Sequence, residues 1–325
     1  MGTDEGPAAG APGVVGGPAP GVTEAFAAMC AMPTGPSRVV ERAAGGVWRL
    51  PGAAQAVSES LASQDAAVRE RGWLLVYARV VQEMESDRDW TQEAAHWLDL
   101  GRAGWSESAR LCADVAWRAR SAHRSALVFL SADQVAATAV DTARGRALWH
   151  LFLTTLRYDF RCSAISRFFA RVPASVASAV DPYIAALRAF ALLGRSDKAG
   201  LPLMEEVLRR AGDDGKVLHT LLHGLWLGER LDDQARLMLD LLAAPVFADG
   251  TDPEAAFRKA GALRMAGDHA GALEAIEAAI DQLEPTEVVV HADCVRERAL
   301  ILADRDLRAV VDGARDLLVR SGLQP

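Results

Sequence analysis

Apolar positions recur every three to four residues over most of this chain, which is the period of an amphipathic helix rather than the alternation of a strand. The best-formed stretch runs from Asp252 to Pro285. Asp252 suits an N-cap, where its carboxylate accepts from free backbone N–H groups, and Pro253 suits the first helical position. Ala256, Ala260 and Leu263 continue the stripe of that helix. Gly267 and Asp268 predict a corner, because glycine takes the left-handed conformation at a helix end and aspartate caps the helix that follows. Ala272, Leu273, Ile276, Ala279 and Ile280 then line one face of a second helix that stops at Leu283, Glu284 and Pro285. The product is a helical hairpin.

Other stretches follow the same grammar. Residues 1–22 are almost all Gly, Ala, Pro and Val, a composition that buries too little surface to offset chain entropy, so a disordered tail is expected. Residues 23–64 hold short apolar pieces broken by Pro33, Pro36, Gly45, Gly46, Pro51 and Gly52, which predict short capping helices. Residues 65–325 change character. Asp65 to Asp87 carries Trp73, Leu74, Val76, Tyr77, Val80, Val81 and Met84 without a proline, which predicts one long helix. Shorter helices around Trp97 and Trp117 follow, separated at Gly101 to Gly104. The β-branched triplet Val288 to Val290 sits in a helix-length run reaching Leu302, so helix is expected there as well.

Laid along the chain, the hairpin frame places Ala126, Ala164, Ala199, Ala235, Ala272 and Ala309 early in successive second helices. Large residues stand late in the first helices, at Trp117, Phe190, Trp226, Leu263 and Leu300. A small side chain lets two helices approach closely, and large ones fill the gaps between neighbouring hairpins. With its small residues at Ala260 and Ala272, its glycine–aspartate corner and its closing proline, the hairpin resembles a tetratricopeptide (TPR) unit. The resemblance implies an all-α, TPR-like right-handed α-solenoid of about six to seven hairpins, with a more polar cap around Arg308, Asp312, Arg315 and Asp316.

Charge and composition narrow the functional classes. The 325-residue chain is 50% hydrophobic, enough for a sizeable core, and its net charge of −8 argues against general nucleic-acid or acidic-membrane binding. No apolar run of 18 residues and no leader pattern occurs, so a cytoplasmic protein without membrane attachment is expected. Lysine occurs only at positions 198, 216 and 259 and asparagine nowhere, the codon habit of a GC-rich bacterial genome. Cys30, Cys112, Cys162 and Cys294 lie far apart without metal-ligand spacing, which predicts reduced, mostly buried thiols.

His219 and His223 stand four apart on a helix and are the only spacing that suggests a metal. Thr220 occupies the place where a zinc protease carries its glutamate, and no third ligand is fixed locally, so no metal and no cofactor is expected. Acyl-transfer, P-loop and dinucleotide signatures are absent. The run Arg157 to Arg161 predicts a charged hairpin corner. In a TPR-like stack the first helices line the concave face, which would set Arg118, Trp149, Arg157, Arg188, Phe257, Arg264 and Arg298 along one groove. Such a row suits carboxylates paired to guanidinium forks with apolar side chains between them. The expected function is a protein–protein scaffold or adaptor holding an acidic or amphipathic peptide. The alternatives are a helical metal-dependent enzyme using His219 and His223, or the sensor or scaffold part of a bacterial regulatory system.

Overall fold

The computed structural model describes residues 20–32, 38–228, 233–283 and 288–320. Among these residues all regular structure is helical and no strand occurs. The chain divides into two units, Met1–Arg79 and Val80–Pro325.

The first unit contains α1 (Pro20–Cys30), α2 (Arg38–Val47), α3 (Ala53–Leu61) and the start of α4 (Ala66–Glu85). The expected disordered tail lies outside the described residues up to position 19, while residues 20–22 already belong to α1. Val22, Ala25, Ala53 and Ala56 form a small core joined by Phe26, Trp48 and Leu50. The Trp48 indole N–H donates to the Leu75 carbonyl at 2.8 Å, giving a buried polar group the partner it needs.

The second unit continues with α5 (Trp90–Leu100), α6 (Trp105–Ser121), α7 (Ala132–Ala136), α8 (Ala143–Tyr158), α9 (Cys162–Arg171), α10 (Ala174–Ala179) and α11 (Pro182–Leu193). Then come α12 (Gly200–Ala211), α13 (Gly215–Leu227), α14 (Gln234–Leu242), α15 (Pro253–Met265), α16 (His269–Gln282) and α17 (Val288–Arg320). Aspartates start many of them. Asp89, Asp181, Asp214, Asp252 and Asp268 each accept backbone N–H groups of the first turn, and Pro182 and Pro253 occupy first helical positions. Each cap contributes about 1 kcal/mol and fixes where its helix begins.

Helix ends repeat one device. Asp87, Arg102, His123, Phe160, Ser196 and Gly267 all have φ between 49° and 83°. In each case the N–H of the following residue reaches back five positions, as Arg161 does to the Leu156 carbonyl (2.9 Å), Asp197 to Leu192 (3.0 Å) and Asp268 to Leu263 (2.9 Å). This is the Schellman closure of a helix C-terminus. Only one of the six positions is glycine, so five non-glycine side chains accept the left-handed cost.

Packing follows chain order. Helices α6, α8, α11, α13, α15 and α17 form a row in which each packs against the next, and α9, α12, α14 and α16 pack beside them. In addition, α6 packs against α11 and α13, bringing the start of the row against its middle. Where α11 and α13 cross, Gly224 gives clearance, since a Cβ there would lie 2.8 Å from the Phe190 Cα.

The alanine frame holds unevenly. Ala126 and Ala272 are buried as expected, with Leu130 and Ile276 buried four residues later. Ala126, however, sits in a 3-10 turn (Ala126–Val128) rather than a full helix. Ala199 is exposed and Gly200 takes the close contact, because a Cβ at Gly200 would meet Leu193 at 2.9 Å. The hairpin expected at Ala309 is replaced by one continuous helix, α17, which runs 33 residues. The sequence ADRDLR at 303–308 holds neither glycine nor proline, so nothing interrupts the helix there. The Val288 to Val290 triplet is helical, as its context predicted.

Candidate binding cleft

The meeting of α6 with the middle of the row creates a narrow cleft in the second unit. Its walls are Trp117 and Arg120 from α6, Tyr158 and Phe160 from the end of α8, and His223 and Trp226 from α13. Glu254, Phe257 and Arg258 from α15 and Val290 and Asp293 from α17 complete it. The aromatic walls pack edge-on: Trp117 against Tyr158 at 5.2 Å, Trp226 against Phe257 at 5.4 Å, and Phe160 against His223 at 5.2 Å.

Cations are set among these rings. Arg258, 4% exposed, lies over the rings of Trp226 (5.4 Å) and Phe257 (5.3 Å). Its Nη2 donates to Glu254 Oε1 at 2.9 Å, while its Nε and Nη1 are buried and meet no acceptor among the described residues. Arg120 stacks on Trp117 and Phe160 and donates to the Tyr158 carbonyl. Arg157 stacks on Tyr158, donates to the His219 carbonyl at 3.2 Å, and comes within 3.8 Å of Glu254, leaving its Nε buried with no partner among the described residues. A buried donor without an acceptor costs on the order of 1–3 kcal/mol, more when charged.

The protonation states follow from this crowding. Burial, then Arg258, Arg157 and Arg120, hold the His223 imidazole well below its ordinary value, so it is neutral at pH 7. Burial alone would raise Glu254, but His219, Arg258 and Arg157 outweigh it and keep this carboxyl far below the usual range. Burial raises Asp293, with Arg120 and Arg258 opposing. The Arg258 guanidinium is itself pushed down by burial, Glu254 opposing and Arg157 adding to the shift.

The residues expected to line one groove do not do so together. Trp149 is fully buried and packs edge-on against Phe168 (4.9 Å) and Phe169 (6.3 Å), so it is a core residue. Phe257 and Arg157 are 2% exposed and belong to the interior of the cleft region. Arg188 lies over Phe169 at 5.6 Å. The remaining arginines already hold carboxylates of this chain: Arg118 with Glu85 (3.0 Å), Arg264 with Glu297 (2.6 Å) and Asp304 (3.0 Å), and Arg298 with Glu277. A continuous trough of uncommitted arginines is therefore replaced by local pairs and one buried cluster. The Arg157 to Arg161 corner divides, with Arg157 and Tyr158 inside and Asp159 and Arg161 outside, 3.9 Å apart.

The two histidines also part. His219 Nε2 lies 2.7 Å from Asp252 Oδ2, tying α13 to the cap of α15, whereas His223 points among guanidinium groups that repel a dication. No group of three or more His, Cys, Asp or Glu side chains placed for a metal occurs among the described residues. No described helix is long and apolar enough to cross a membrane.

Sequence reading missed Arg258, Glu254, Arg120 and Asp293. Arg258 immediately follows Phe257, so the signal was present one register position away. It also missed a buried chain of hydrogen bonds: Ser108 Oγ to His150 Nδ1 at 2.8 Å and His150 Nε2 to Asp181 Oδ2 at 2.9 Å. Ser108 is 1% and His150 0% exposed, and Asp181 also caps α11, so this serine–histidine–aspartate relay pins α6, α8 and α11 rather than presenting a nucleophile. Comparison with protein-family models, with curated proteins and with solved structures finds no match.

Proposed function

We propose that this chain is a TPR-like helical-repeat interaction protein, a scaffold or adaptor that holds an acidic or amphipathic peptide segment at the aromatic and arginine cleft. The observation that carries the reading is Arg258, a buried cation on two aromatic rings beside a cleft, whose Nε and Nη1 meet no acceptor among the described residues. Ordered stacking of alternate helices and recurrent Schellman corners support the repeat architecture. Aromatic walls suit an apolar anchor side chain, and guanidinium donors suit a carboxylate beside it.

A displayed peptide library selected on the purified chain tests this. The expected outcome is enrichment of sequences with Asp or Glu next to a large apolar residue. Selection that enriches basic or featureless peptides, or none, would overturn it.

A further inference from the structure

Nine large apolar side chains stand exposed among the described residues, and five of them lie on α17. That helix packs against α15 and α16, and Ile301 is the last of its described residues to be buried. From Ala303 to Asp316 every residue except Asp304 is exposed. Yet this stretch keeps an apolar face, with Leu307 64%, Val310 69% and Val311 56% exposed. Leu300, Ala303, Leu307, Val310 and Ala314 follow one another at spacings of three, four, three and four. That is the 3.5-residue repeat of a seam between two helices.

The order of side-chain sizes along the seam points to its occupant. Read outward from between Leu307 and Val310, each direction meets a large residue and then an alanine. An antiparallel second copy therefore sets Leu307 against Val310 and Ala303 against Ala314, small facing small so that the backbones approach, large facing large so that the seam fills. The charges agree with this pairing. It brings Asp304, half-exposed although paired with Arg264, beside Arg315 of the second copy, and it sets Asp306 against Gly313, so no like charges face each other. An anionic lipid surface would instead meet the carboxylates of Asp304 and Asp306 at the edges of the face.

We propose that α17 is a self-association element, through which two copies of this chain pair antiparallel along Leu300, Ala303, Leu307, Val310 and Ala314 as a two-fold dimer. Pairing here is independent of the peptide role given to the cleft. The seam from 300 to 316 is about 25 Å long at 1.5 Å per residue, and one helix pair of that length buries less than the roughly 1,200 Å² at which tight interfaces begin. A reversible dimer with a dissociation constant of about 10–100 µM follows.

Sedimentation equilibrium of the full chain tests this. The mass is expected to rise from the 34.7 kDa monomer towards twice that value between about 1 and 300 µM. Leu307→Glu and Val310→Glu are each expected to raise the dissociation constant at least ~10-fold. Both positions are exposed in the single chain, so the far-UV spectrum and the melting midpoint of the dilute variants should match the wild type. Ala303→Cys and Ala314→Cys chains, mixed and mildly oxidised, are expected to give a 303–314 disulfide on peptide mass mapping, with no 303–303 link from Ala303→Cys alone. A monomer over the whole concentration range would overturn the proposal and leave the face to a different protein. Dimerisation indifferent to both glutamate variants would put the interface elsewhere and equally overturn it. A 303–303 link would overturn the antiparallel pairing.

Discussion

Lys216 Nζ lies 2.7 Å from Asp114 Oδ1 and so joins α13 to α6 across 102 residues of chain. It is accompanied by Ser106 Oγ, which donates to Asp214 at the cap of α13. These contacts fasten the start of the helical row to its middle, beside the cleft. Both members of the Lys216 pair are more than a third exposed, so solvent screens them. A double-mutant cycle with Lys216→Met and Asp114→Asn, read by urea unfolding, is expected to give a coupling of about 0.5–1 kcal/mol. A coupling of zero would mean that the pair does not hold α6 against α13.

The α11 and α13 crossing depends on Gly224, whose missing side chain admits the Phe190 backbone. Backbone cannot move aside as a flexible side chain can. Gly224→Ala should therefore destabilise by about 1–3 kcal/mol through overpacking. Gly45→Ala in α2, where nothing lies within 4 Å, should instead stabilise by roughly 0.5–1 kcal/mol. Equal effects at the two sites in denaturant melts would contradict the close approach.

Ser196 holds φ at 57° in a Schellman corner, a conformation that glycine reaches without Cβ strain. Relief of that strain is opposed by the greater unfolded-state freedom of glycine, so Ser196→Gly is expected to gain only about 0.5 kcal/mol. Thermal denaturation checks the sign; a clear loss would mean that the serine side chain contributes more than its backbone costs.

Trp149 separates core from binding surface. Because it is enclosed by Phe168 and Phe169, Trp149→Ala should cost about 3–5 kcal/mol in unfolding free energy. Unchanged stability with loss of peptide binding would return Trp149 to a surface role.

His223 sets a pH dependence. Its folded pKa is depressed, so the unfolded chain binds the proton more readily, and the stability it contributes is complete above about 6.5 and lost as pH falls below that value. The depressed carboxyls act lower: Asp252, where burial raises the value but the hydrogen bond and charge of His219 and the Ala255 N–H together outweigh it, and Glu254 contribute above about pH 4 and lose that contribution in stronger acid. The wild type should lose stability between pH 7 and 5, and His223→Gln should flatten that interval while retaining the loss in stronger acid. Parallel pH profiles for the two proteins would refute the assignment.

The helical class was legible from the residues alone, because a period of three to four and aspartate or proline helix starts are local properties carried by residues such as Asp252, Pro253 and Asp181. It marked the corner at Gly267, where glycine announces a left-handed residue, and the long helix near Trp73, realised as α4. The corner at Phe160 was marked only by its run of charges and the one at Ser196 carries no glycine at the left-handed position, since that conformation is imposed there by the closing hydrogen bonds and the packing around them. The register slip from Ala199 to Gly200 and the uninterrupted α17 likewise depend on which neighbour a small residue meets. The cleft exists only in three dimensions. Arg120, His223, Arg258 and Asp293 come from four helices distant in sequence, and whether an arginine meets two carboxylates, as Arg264 does, or meets one and keeps its Nε and Nη1 without an acceptor among the described residues, as Arg258 does, is settled by through-space contacts that periodicity does not encode.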